Sequence, residues 1–136
     1  MTHAIRIHEH GGPDVLRWEE VEVGVPGPGE VRLHQTAAGL NFLDVYQRNG
    51  AYKLPELPTA LGMEAAGVVE EVGEGVKHLS VGDRIGYADM PAGAYSEARV
   101  MPAKIAVKTQ TVAIKTILNG PLASRTSKPQ IGKLPQ

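Results

Sequence analysis

A chain of 136 residues, 42% of them hydrophobic and with charges of both signs, can bury the core of one domain but not of two full ones, and is too apolar to read as disordered. The absence of cysteine excludes a disulfide framework and a thiolate zinc site. No apolar run reaches the ~18 residues of a membrane span, and the first residues lack the apolar centre of a signal peptide, so the expected setting is cytoplasmic, away from membranes.

The overall charge of −1 conceals a division. Residues 1–100 hold 8 Lys/Arg against 15 Asp/Glu, a net −7, whereas residues 101–136 hold 6 basic residues and no acid, a net +6. An acidic body argues against nucleic acid, which needs a basic footprint, and the basic end keeps only a remote alternative of that kind. So sharp a break suggests two segments of different character, though an ordinary basic tail would read the same way.

The predicted elements begin with a β-hairpin over Met1–Val23. Ile5 and Ile7 alternate with polar residues, His10-Gly-Gly-Pro13 supplies the turn, and Leu16, Trp18, Val21 and Val23 resume a period of two. His8 and His10 share one strand face, but a metal site needs more converging ligands than these two, and exposed strand-end histidines are the simpler reading. Residues 24–29 are a Gly/Pro loop, and Val31 and Leu33 open a further strand that runs into Gln35-Thr-Ala-Ala-Gly39. Two prolines make Lys53–Pro58 irregular. Small and β-branched residues from Ala65 to Val72 suit a buried strand, closed by a turn at Gly73-Glu-Gly75. A tight turn at Val81–Gly86 leads into another strand, and Gly93–Val100 reads as one more. Short strands at regular spacing with Gly/Pro punctuation, no βαβ alternation and a single helical stretch predict a mainly β fold, a closed or nearly closed barrel with one or two short helices.

That helical stretch, Gly39–Tyr52, organises the rest. Asn41 is a favoured N-cap, Asp44 sits early where the helix dipole favours negative charge, and Leu43, Tyr46 and Gln47 follow at helical spacing. Gly50 offers a left-handed position to end the helix. A roughly two-turn helix therefore presents Asn41 at its mouth, with Tyr46 and Tyr52 near its end. A capped surface helix with packing tyrosines fits the residues equally well.

Other chemistries find no support. Gly27-x-Gly29 and Gly73-x-Gly75 lack a third glycine and do not open a helix inside a βαβ unit, as a dinucleotide phosphate loop would require. No Walker-type loop, nucleophilic triad or metal cluster is visible.

Residues 1 to about 108 resemble the N-terminal GroES-like catalytic domain of zinc-free quinone oxidoreductases, the branch of the medium-chain dehydrogenase/reductase superfamily that includes zeta-crystallin. The resemblance is carried by His10-Gly-Gly-Pro-Asp-Val-Leu16, Ala37-Ala-Gly-Leu-Asn-Phe-Leu-Asp44, Tyr46-Gln-Arg-Asn-Gly50, Leu61-Gly-Met-Glu-Ala-Ala-Gly67, Gly73-Glu-Gly-Val76 and Val81-Gly-Asp-Arg84, in order and at spacing over some hundred residues. Zinc-dependent relatives carry a cysteine where this chain has Asn41 and a histidine where it has Met63. Neither Asn nor Met is a good zinc ligand, so no metal is expected.

The resemblance implies hydride transfer from NADPH to a quinone, with the protein supplying orientation and a desolvated pocket and no general acid or base. It implies Asn41 near the nicotinamide ribose and Tyr46 and Tyr52 as walls of the substrate cleft. Asp44, Met63 and Glu64 are expected to play structural parts, Asp44 orienting the helix and Glu64 fixing the loop after Met63.

The resemblance implies a dinucleotide-binding Rossmann domain after a segment like Met101–Lys108, but residues 109–136 form an atypical basic tail with no family resemblance. The expectation is a truncated or short family member whose tail arose by a frameshift or similar rearrangement. A naturally short form, in which Val112, Ile114 and Ile117-Leu118 make a strand or amphipathic turn against the barrel, is the competing view. Two expectations follow: weak or absent NADPH binding by this chain alone, and an exposed barrel face prone to self-association. The alternative function is a non-catalytic module that associates with another chain through that face.

Overall fold

The computed structural model describes residues 1–109. Val112, Ile114, Ile117 and Leu118, and all but the first residue of the expected basic tail, lie outside the described residues. The fold is mainly β, as expected. It contains strands β1 (Thr2–Ile7), β2 (Arg17–Val21), β3 (Glu30–Gly39), β4 (Thr59–Ala60), β5 (Glu64–Val72), β6 (Arg84–Ala88), β7 (Ala98–Pro102) and β8 (Val107–Lys108). Among the described residues there is one α-helix, α1 (Phe42–Asn49), with 3-10 turns at Pro13–Val15 and Ala103–Ile105.

All strand pairs are antiparallel, in two sheets ordered β2-β1-β4 and β7-β3-β5-β6-β8. The sheets do not close into one barrel; they are stitched by residues 95–97. The Ile5 amide donates to the Tyr95 carbonyl (2.7 Å), the Glu97 amide to the His3 carbonyl (2.9 Å) and the Gln35 amide to the Glu97 carbonyl (2.8 Å).

Alternation along β3 explains the core. Val31, Leu33 and Gln35 point inward while the residues between them face outward. Val31 and Leu33 pack with Val69, Leu79, Ile85, Tyr87 and Met101. Fully burying side chains of this size contributes about 1.5–3 kcal/mol each. β5 is rich in small residues because β3 lies close against it: a Cβ on Gly67 would collide with the His34 backbone. The register slips between Arg32 and Leu33 and again between Gln35 and Ala37, and such irregularities bend the long strand toward α1.

The hairpin and the 65–72 strand stand where the pattern predicts them, whereas the strand expected after the Val81–Gly86 turn begins inside it, at Arg84. The second hairpin strand stops at Val21. The predicted strand Gly93–Val100 is displaced: pairing with β3 begins only at Ala98 and runs to Pro102. Gly93 sits at φ 137°, a conformation closed to an extended L-residue strand. The Gln35 side-chain amide and the Ser96 hydroxyl then hold the Gly93–Ser96 carbonyls in a compact loop.

Candidate functional site

β3 delivers the chain into α1, whose limits follow from its ends. Gly50 adopts φ 85° and closes the helix with its amide on the Gln47 carbonyl (3.4 Å). The β1–β2 turn clamps that same end. His10 Nδ1 donates to the Gln47 carbonyl (3.1 Å), the Gly11 amide donates to the Arg48 carbonyl (3.0 Å), and Arg48 Nε donates back to the Gly11 carbonyl (3.2 Å). Gly50 must lack a side chain for a second reason, since a Cβ there would stand 3.0 Å from the His10 ring. His8 is on another partner, Glu19, at 3.0 Å. Among the described residues no three His, Cys, Asp or Glu side chains converge as a metal-ion group.

The helix mouth follows the local reading. Asn41 is the N-cap and forms a capping box with Asp44, its side chain facing the Asp44 amide while the Asp44 carboxylate reaches back to the Asn41 amide. Asp44 Oδ2 accepts from the Asn41 amide at 2.8 Å and from the Tyr95 hydroxyl at 2.6 Å. Asp44 is buried, so its carboxylate needs such donors. Burial above all, then the bond to Asp44 and the charges of Asp44 and Glu64, push the Tyr95 phenol well above its ordinary value. Tyr95 therefore stays a hydrogen-bond donor at neutral pH. Sequence reasoning missed it, because it lies in the chain 51 residues from Asp44. Only its position in the Gly93–Val100 segment could have drawn attention to it.

Met63 and Glu64 lie below the helix mouth. Gln47 Nε2 points at Met63 Sδ (3.6 Å), and the Met63 carbonyl accepts from the Asp89 amide (3.1 Å). Glu64 opens β5 opposite Gly39, and its side chain passes over Gly39, where a Cβ would overlap it. Gly39 is thus a close-approach position between strand and carboxylate.

Tyr46 and Tyr52 come together. Their rings meet edge to face, 5.6 Å between centroids at 74°, and the Tyr52 amide donates to the Tyr46 carbonyl at 3.0 Å. Tyr46 is 43% exposed and Tyr52 57%. Leu40 and Phe42, flanking Asn41, are 83% and 82% exposed. An apolar, aromatic surface with phenol hydroxyls therefore surrounds the braced helix mouth, an arrangement that offers flat contact area and a few polar handles rather than proton transfer.

Residues 27–111 match the family model described as the alcohol dehydrogenase GroES-like domain. The chain belongs to that family. It is 51% identical over 111 residues to a 2-haloacrylate reductase from Burkholderia sp., covering 79% of this chain and 33% of the relative. It is 44% identical over 113 residues to quinone oxidoreductase 1 of Escherichia coli (strain K12), covering 77% and 35%. The crystal structure of Escherichia coli quinone oxidoreductase complexed with NADPH superposes with a TM-score of 0.78 at 44% identity, covering 79% of this chain and 33% of that one. The chain spans about a third of the length of these curated relatives. These relatives are a 2-haloacrylate reductase and quinone oxidoreductases, oxidoreductases of the medium-chain dehydrogenase/reductase superfamily.

Proposed function

We propose that residues 1–108 are the substrate-side half of an NADPH-dependent quinone reductase. The observation that carries the reading is the exposed Tyr46–Tyr52 pair beside a helix mouth that is tied down from beneath. A planar, electron-poor quinone suits such a wall, because flat aromatic faces bind it without a charged partner. Asn41 stands at the mouth of this braced helix, a position that fits a contact to the nicotinamide ribose. NADPH, when bound, supplies the hydride; the chain's own residues orient the acceptor and exclude water. Among the described residues no βαβ unit carries a phosphate loop, so these residues fit only the nicotinamide half of the dinucleotide. The expected result is weak NADPH binding by the 136-residue chain alone.

A chimera tests the reading. Residues 1–108 replace the matching third of Escherichia coli quinone oxidoreductase, and NADPH-dependent quinone reduction is assayed. The chimera is expected to turn over, and Tyr52→Ala to lower kcat/KM by about two- to tenfold through the lost aromatic contact. A folded chimera that binds NADPH but leaves quinones unreduced contradicts the reading.

The high exposure of Leu40 and Phe42 favours a second reading, a non-catalytic module that docks this face on another chain. Stoichiometric binding to a full-length relative without turnover would support it.

A further inference from the structure

Arg99 is a buried guanidinium that has no carboxylate within ion-pair distance among the described residues. It stands in β7 opposite Leu33 and is only 9% exposed. Its guanidinium lies over the Tyr87 ring, 5.5 Å from the centroid, with Nη1 donating to the Tyr87 hydroxyl (3.2 Å) and Nη2 to the Pro91 carbonyl (2.9 Å). Both acceptors are neutral at physiological pH, and burial raises the Tyr87 phenol further from ionisation. Among the described residues every ion pair involves other side chains. Residues 110–136 contain no Asp or Glu. A buried guanidinium whose acceptors are all neutral calls for an anion.

The same side chain lines an open cleft of about 530 Å³ between the end of β2 and β7. Ala4, Ala60, Ala92 and Ala98 make its walls small and apolar. Gly93 lets the guanidinium lie against the backbone, since a Cβ there would stand 3.1 Å from Arg99 Cζ. Arg6 also lines the cleft but is already engaged by Glu19 (2.9 Å) and the Pro58 carbonyl (3.1 Å). Glu20 and Glu22 line it too, and both are exposed. None of the lining residues belongs to the Asn41–Tyr52 stretch.

We propose that this cleft is a binding site for a small monocarboxylate, its carboxylate paired with Arg99 and its short carbon chain lying against the alanine walls. One inward positive charge matches one carboxylate, and the guanidinium fork suits its geometry. Glu20 and Glu22 repel any anion that enters, a di- or trianion more strongly than a monocarboxylate.

The test is a titration of the 15N-labelled 136-residue chain with sodium propionate, following the Arg99 Nε–Hε resonance against sodium chloride and sodium sulfate at matched ionic strength. A saturable shift at millimolar propionate, absent with chloride and weaker with sulfate, is expected. A shift that grows linearly and equally with all three salts overturns the proposal. Ala92→Phe adds bulk to the cleft wall while keeping Arg99 itself, and unchanged α1 amide resonances report that the variant is folded. It should weaken propionate binding at least about tenfold. Unchanged affinity in this variant places the anion elsewhere and overturns the site.

Discussion

The helix mouth and the interior of the five-stranded sheet use the same residue types in opposite ways. At the helix mouth the polar groups are inside and the aromatic ones outside. Asp44 is buried and held by Tyr95 and the Asn41 amide, while Phe42, Tyr46 and Tyr52 face solvent. In the sheet interior Tyr87 is buried, its hydroxyl donating to Gln35 and accepting from Arg99, amid Leu33, Ile85 and Met101. A tyrosine in the core stabilises the fold; a tyrosine held on the surface by a braced helix offers contact to something else. Beneath the helix, Asp44 Oδ1 and Gln47 Oε1 are buried without a protein partner, whereas Gln35 and Tyr87 in the core have theirs. The site is thus the less fully satisfied of the two regions, as expected of a functional face.

Substitutions should sharpen this contrast. The largest effect belongs to the core: Leu33→Ala removes a fully buried side chain and should lower unfolding free energy by about 2–5 kcal/mol in a urea titration. Tyr95→Phe, which strips a donor from a buried carboxylate, should cost about 1–3 kcal/mol in the same titration and shift the Asn41 amide resonance. If Asn41 does not respond, Asp44 does not transmit the brace. Gly50→Ala forces an L-residue into the left-handed region and should cost about 1–2 kcal/mol, read as a lower melting temperature. Tyr46→Ala and Tyr52→Ala should leave stability within about 0.5 kcal/mol despite removing large side chains. A core-like loss there would erase the distinction between the two regions.

A smaller, pH-dependent effect comes from the outer surface. Glu19, Asp83 and Glu97 are all held below their ordinary values, chiefly by the hydrogen bonds from the His8 side chain, the Lys108 side chain and the His3 amide respectively. A carboxyl depressed in the folded state binds its proton first in the unfolded chain. Its stabilisation is therefore present above the unfolded values, 4.5 for the glutamates and 3.8 for Asp83, and is lost as pH falls below them. Melting temperature should decline across that acid window, and Glu19→Gln should shallow the decline.

Much of this fold is legible from local pattern. The limits of α1 are written in Asn41 and Gly50, and β5 in its small and β-branched residues. β4 and β8, at two residues each, are too short to show any periodicity. The misplaced start of β7 has a long-range cause, the Gln35 side chain reaching three carbonyls of the Gly93–Ser96 loop. In the site, Asn41, Asp44, Tyr46 and Tyr52 are visible because they lie on one continuous stretch. Tyr95 and the overlap of Glu64 with Gly39 depend on strand register, which no local window contains.

The central claim is that the Asn41–Tyr52 surface receives a planar acceptor. Its most direct test is a chemical-shift map of the 15N-labelled chain titrated with a water-soluble naphthoquinone. Shifts centred on Asn41, Phe42, Tyr46 and Tyr52, and abolished together by Tyr46→Ala and Tyr52→Ala, are predicted. Shifts centred instead on the other exposed aromatic surface, Trp18 stacked on His3, would contradict the account.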